Sequence, residues 1–235
     1  MMHASTRMAV VQLCLRLSKR GYFAGTGGNL MLRIDETLVA VTPSATDYLT
    51  MEPQDVCLLR LADLSVVEGA RPASVETGLH ARVMRARPEV GCTIHTHQPL
   101  ASACALIGEA LQVPPDLQSV LGATVPVVGY APSGTGWLAS KLAAAVQPGR
   151  QAWLLRNHGI VCCGRDSTAA LAAVEQLESL ARDHLISRIE RRMQASPQGQ
   201  HSGPELTSGA ADRRGSAPDP LVQLRQLLWS SKESI

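Results

Sequence analysis

The segment Val90-Gly91-Cys92-Thr93-Ile94-His95-Thr96-His97 constrains this fold more than any other. Its apolar run suits a buried strand, and the run ends in two histidines one residue apart. Successive side chains of a strand point to opposite faces, so His95 and His97 share a face. Two neutral imidazoles side by side suit a divalent transition metal. An ordinary strand with two half-exposed histidines would also read this way.

Glu76 lies upstream in Ser74-Val75-Glu76-Thr77-Gly78-Leu79-His80. Ser74 reads as an N-cap, which predicts Glu76 in the first turn of a helix running on through Leu79, Val83 and Ala86. A helix start favours a carboxylate even without chemistry. Further on, the strand-like run Ala152-Trp153-Leu154-Leu155 leads to Asn157-His158-Gly159, followed by Ile160-Val161-Cys162-Cys163. Gly159 allows a close backbone approach. A single histidine in an apolar run is commonly a satisfied core residue. With His95 and His97, however, His158 supplies a third nitrogen, and three protein ligands with an open position are the pattern of a catalytic zinc.

Elsewhere helical and strand-like patterns alternate. Helices are predicted near Thr6–Lys19, Pro99–Leu106, Trp137–Val146 and Asp166–Met193, the last capped by Asp166 or Ser167. Strands are predicted near Leu30–Ile34, Leu38–Thr42, Val56–Leu61 and Val125–Val128. The result is an α/β layered domain without internal repeats. At 235 residues and 45% hydrophobic content it has enough material for one substantial core. The net charge is +2 and no basic run is interleaved with aromatic residues, which argues against nucleic acid as a partner. Six cysteines are present. None forms Cys-X-X-Cys, and most lie in apolar runs, as expected of reduced, buried thiols in a cytoplasmic protein. Cys162 and Cys163 face opposite ways on a strand and make no metal pair. Met1–Arg20 carries arginines at helical spacing, which predicts an amphipathic helix rather than a signal peptide or membrane span.

From about Ala195 the composition shifts to Ser, Gly, Pro, Gln and Asp, too polar to offset its ordering entropy. The expected organisation is a catalytic domain over 1–194, a flexible linker over 195–220 and an amphipathic tail over 221–235. That tail would dock on its own subunit or on a neighbour.

The ordered set of motifs resembles the class II aldolase/adducin family from about Arg7 to Arg192. The markers are Gly25-Thr26-Gly27-Gly28-Asn29-Leu30, Val41-Thr42-Pro43-Ser44, Glu76 with Leu79-His80, Arg87-Pro88-Glu89-Val90, His95-Thr96-His97, Pro126, Gly134-Thr135 and Asn157-His158-Gly159. The resemblance implies a three-layer α/β/α sandwich with a largely antiparallel central sheet, and a ring-shaped homotetramer with active sites between neighbouring subunits. It implies zinc or another divalent transition metal on His95, His97 and His158. Glu76 would be both the proton-transfer base and a metal ligand in the substrate-free site. Sugar-phosphate aldolases of the family hold phosphate on three loops, which correspond here to Gly28-Asn29, Ser44-Ala45 and Ser74-Val75. A glycine turn also suits an anion on general grounds, although Gly27-Gly28 equally reads as structural.

Two positions depart from the pattern. Val75 stands where such aldolases have a second serine. The segment Gln112–Ser119 lacks the tyrosine that fuculose-phosphate aldolases contribute across the subunit interface, and the offset of Tyr130 makes it a poor substitute. His80, one turn after Glu76, reads as a packing or supporting histidine.

The leading expectation is a zinc-dependent aldolase that cleaves a small ketose phosphate to dihydroxyacetone phosphate and an aldehyde through a metal-stabilised enediolate. The runner-up is a metal-dependent decarboxylase of a 3-keto sugar-acid phosphate or related keto acid, since the same enediolate arises by loss of CO₂. Epimerase, dehydratase and a silent adducin-like scaffold follow. Three histidines retained together with Glu76 argue against the scaffold.

Overall fold

Buried strands need cover on both faces, because each fully buried Leu, Val or Ile side chain contributes about 1.5–3 kcal/mol only once water is excluded. The computed structural model, which describes residues 2–23 and 25–195, provides that cover. In chain order the helices are α1 (Ala4–Lys19), α2 (Thr77–Ala86), α3 (Pro99–Ile107), α4 (Gln118–Leu121), α5 (Gly136–Ala145) and α6 (Ser167–Ala195). The strands are β1 (Asn29–Arg33), β2 (Leu38–Val41), β3 (Cys57–Arg60), β4 (Val66–Glu68), β5 (Cys92–Thr96), β6 (Leu111–Gln112), β7 (Thr124–Val125), β8 (Val127–Val128), β9 (Ala152–Leu155) and β10 (Gly159–Gly164).

Eight strands form one sheet in the order β4-β3-β2-β1-β5-β10-β9-β8, while β6 and β7 form a separate pair. Every pairing in the main sheet is antiparallel except β8 with β9. On one face Met31, Val39, Val41 and Leu59 pack with Leu79 and Val83 of α2 and Leu138 and Leu142 of α5. On the other, α1 lies against β1 and β2, and α3 against β9 and β10. The fold is therefore a three-layer α/β/α sandwich with a largely antiparallel sheet.

By its internal contacts the chain divides into Met1–Arg182 and Asp183–Ile235. Of the linker expected over 195–220, Ala195 instead closes α6, and residues 196–220 and the tail from Leu221 lie outside the described residues. No described helix is long and apolar enough to cross a membrane.

Two local expectations are corrected. The run Val125–Val128 is not one strand: Pro126 lacks the N–H to continue a ladder, so β7 pairs with β6 and β8 with β9. Helix α2 starts at Thr77 with Glu76 as its N-cap residue. Ser74 does not cap it; its Oγ instead accepts the Glu76 N–H at 3.3 Å and its carbonyl accepts the Thr77 N–H at 3.0 Å. At α6 the expected cap holds and is Asp166 of the two candidates, its Oδ1 accepting the Ala169 N–H at 2.8 Å.

Candidate active site and metal centre

His95 is the next-to-last residue of β5 and is wholly buried. Its Nδ1 lies 2.7 Å from the carbonyl oxygen of Ile160 on the neighbouring β10. A carbonyl only accepts, so Nδ1 carries the proton and Nε2 presents its lone pair. His97 follows just past the strand end, with its Nε2 3.0 Å from that of His95. His158 comes from the turn between β9 and β10, where its N–H donates to Leu155 O at 3.0 Å. Asn157 takes the left-handed φ of 55° there, which Asn tolerates better than most residues. Gly159 then pairs with Leu155 across the hairpin. Any side chain at Gly159 would collide with the Thr96 carbonyl and the His97 ring.

One ligand nitrogen from each histidine lies within 4.8 Å of the others, so a single point sits within about 3 Å of all three, near the 2.0–2.1 Å bonds of zinc. Burial holds all three imidazoles below their ordinary pKa, His95 at about 3. They are neutral at pH 7, as metal ligands must be.

The Glu76 carboxylate closes the cluster. Its Oε2 is 3.3 Å from His95 Nε2 and its Oε1 is 3.3 Å from His158 Nε2. Asn29 Nδ2 donates to Oε2 at 2.7 Å, and Ser133 Oγ donates to Oε1 at 2.8 Å. Burial alone would raise this carboxyl, but His95, the bonds from Asn29 and Ser133, and His158 outweigh it and bring it down to about 2. Glu76 is thus an ionised base that is only 6% exposed. Behind it, Asn29 Oδ1 lies 2.6 Å from His80 Nε2, and His80 Nδ1 lies 2.8 Å from Thr93 Oγ1. His80 is a supporting residue, not a member of the cluster.

The loops expected to hold an anion converge at this end of the sheet. An antiparallel bridge joins Pro43 to Ala73, which sets Ser44-Ala45 beside Ser74-Val75. The Asn29 amide, expected to face a phosphate, is committed on both sides to Glu76 and His80. Gly28 (φ 83°) has a structural reason to be glycine, since a side chain there would collide with the Phe23 ring. Val75 is exposed and brings no hydroxyl. Ala45 holds φ 48°, a conformation that glycine takes without cost. Ser133 was not anticipated: it lies 57 residues from Glu76 in sequence, and a serine before a Gly-Thr pair carries no distinguishing signal.

The family described as Class II Aldolase and Adducin N-terminal domain matches residues 8–185. A 5-deoxy-D-ribulose 1-phosphate aldolase of Bacillus thuringiensis serovar kurstaki is 32% identical over 176 residues, covering 74% of this chain and 82% of that protein. A methylthioribulose-1-phosphate dehydratase of Serratia proteamaculans is 30% identical over 194 residues, covering 77% and 94%. The solved structure of an L-fuculose 1-phosphate aldolase superposes with a TM-score of 0.74 at 28% identity, covering 81% of this chain and 89% of that one. Sequence, fold and the matched span agree: the chain belongs to the class II aldolase/adducin family.

Proposed function

We propose that this protein is a zinc-dependent aldolase that cleaves a small ketose phosphate into dihydroxyacetone phosphate and an aldehyde. His95, His97 and His158 would hold the metal, and Glu76 would be the base. Residues 1–194 are the catalytic domain in this reading, working as a homotetramer in the cytoplasm. Six buried cysteines, none of them in a disulfide, fit a reducing compartment.

The observation that carries the reading is a buried, ionised carboxylate 3.3 Å from two imidazoles that belong to a converging set of three. The donor set fits a divalent transition metal, because His95 keeps Nε2 unprotonated and all three rings are neutral. When bound, such an ion supplies Lewis acidity at the ketone oxygen, which makes the neighbouring carbon acidic. Glu76 takes a proton and delivers it to the carbon left by C–C cleavage, while Asn29 fixes the direction of Oε2. Ser44, Ser74 and the backbone around Gly28, Asn29, Ala45 and Val75 would receive the phosphate. The similarity to a 5-deoxy-D-ribulose 1-phosphate aldolase and to an L-fuculose 1-phosphate aldolase supports ketose 1-phosphates as the substrates in this reading.

A second reading, dehydration of a ketose phosphate, is favoured by the similarity to the dehydratase. It needs the same proton abstraction beside a ketone. Decarboxylation of a keto-acid phosphate would reach the same enediolate by loss of CO₂.

Metal analysis of the purified protein, followed by a screen of ketose phosphates and keto acids, separates these readings. One zinc per chain with release of aldehyde is expected; water loss or CO₂ would select the alternatives. Glu76→Gln should keep the fold and much of the metal yet lose about a hundredfold or more in turnover. A metal-free protein inert in every assay, or near-normal activity in that variant, would overturn the proposal.

A further inference from the structure

We propose that the Ser133 hydroxyl carries a proton between the substrate and Glu76. The inference rests on the aldolase reading above and names a residue that the family resemblance did not.

Cleavage poses a proton problem. The hydroxyl beside the breaking C–C bond must lose a proton as it becomes an aldehyde, and the carbon on the other side must gain one. The Glu76 carboxylate is shielded, so it needs a route by which the first proton reaches it. Its Oε2 is closed off by Asn29 Nδ2 and faces His95. Its Oε1 faces His158 and receives the Ser133 hydroxyl at 2.8 Å. Ser133 itself is exposed, on the loop between β8 and α5. It therefore stands between the open side of the site and the buried carboxylate. A serine hydroxyl has one donor and two lone pairs. With its proton given to Glu76, it is left as an acceptor for a substrate hydroxyl.

A loop-anchoring role does not account for this bond. The same loop is already tied by Thr135, whose Oγ1 donates to Pro132 O at 2.7 Å and accepts the Leu138 N–H at 3.3 Å as the cap of α5. Gly134 in turn lies against the Val75 side chain.

The step balances without any other reactant. The substrate O–H passes its proton to Ser133 Oγ while the Ser133 proton moves to Glu76 Oε1. The C–O bond becomes C=O as the C–C electron pair is left on the ketone fragment. Glu76 then delivers its proton to that carbon, and both side chains return to their starting states. Condensation runs the same steps backwards.

Two assays separate relay from positioning. Exchange of the carbon-bound proton of dihydroxyacetone phosphate in D₂O, followed by NMR, needs Glu76 but involves no aldehyde oxygen. Condensation of dihydroxyacetone phosphate with acetaldehyde needs both. Ser133→Ala, at an exposed position, should lose about a hundredfold in condensation and at least tenfold less in exchange, and Ser133→Thr should recover most of the loss. Parallel loss of both activities would reduce Ser133 to a support for Glu76 and overturn the relay, as would condensation within about threefold of wild type. Glu76→Gln is the control on the underlying reading. If it keeps exchange, Glu76 is not the base and that reading fails on its own. If the wild-type protein neither exchanges nor condenses, the aldolase reading falls and takes the relay with it.

Discussion

A hydrogen-bond chain from Thr93 through His80 and Asn29 to Glu76 fixes the state of each member. Burial pushes the fully enclosed His80 down to about 4, against an ordinary 6.5, although Glu76 pulls the other way. Between those values the unfolded chain takes a proton that the folded one refuses, so stability falls as pH drops from 6.5 to 4 and is unaffected above 6.5. The full loss is on the order of 3 kcal/mol. Urea titrations at stepwise pH should show it, and His80→Gln should remove that share of the slope. An unchanged slope would mean that His80 titrates normally. Ala45 invites the opposite experiment. A non-glycine residue in the left-handed region costs about 1–2 kcal/mol, partly offset by its stiffer unfolded chain. Ala45→Gly should therefore raise the unfolding free energy by about 0.5–1 kcal/mol without loss of turnover; a destabilised variant would show that the turn prefers its methyl group.

The hairpin of β9 and β10 is the most demanding piece of backbone at the site. Gly159→Ala would drive a methyl group into the Thr96 carbonyl and the His97 ring. Backbone gives way poorly, so a loss of about 2 kcal/mol or more is expected, together with reduced zinc content by atomic spectroscopy. Full metal occupancy in that variant would show that the two strands can separate without disturbing the ligands. This hairpin was legible in advance, because apolar runs flanking Asn157-His158-Gly159 leave few other arrangements. The strand through His95 was equally legible, since both signals are local. Strand β4 was not: it is an edge strand with two exposed valines, so no burial pattern marks it. Arg7 escaped for a similar reason. It reads as a polar position of an amphipathic helix, yet it is 1% exposed, with Val56 O as a partner and Glu68 3.0 Å away. Those partners are distant in sequence and no periodicity announces them. Ser133 belongs to the same class. What sequence conveys here is the strand or helix that presents a ligand; what it withholds is the company each side chain keeps.

Apolar side chains left at the surface bear on assembly. Val75, Tyr130 and Trp137, on segments flanking Glu76 and Ser133, are 69%, 53% and 60% exposed, and Leu106 on α3 is 62% exposed. Such patches mark protein contacts, and a closed ring would cover equivalent ones on every subunit. A homotetramer is therefore expected in light scattering at micromolar concentration, with dilution to monomer abolishing activity. A fully active monomer would refute the shared site. A metal held by the three histidines would have its own measurable effect on stability. His97 and His158 are separated by 158 − 97 = 61 positions of chain, and they approach only when β5 and β10 lie side by side. A bound ion selects the folded chain, so at a hundredfold excess over its dissociation constant it adds about 2.7 kcal/mol. Chelation should lower the unfolding temperature by several degrees, and an unchanged melt would refute a bridging ion. A difference of that size is enough to alter how much of a protein survives cellular proteolysis. For a cell short of zinc, the sixty-residue span between these histidines would turn supply into headcount: fewer molecules would persist, rather than the same number standing idle.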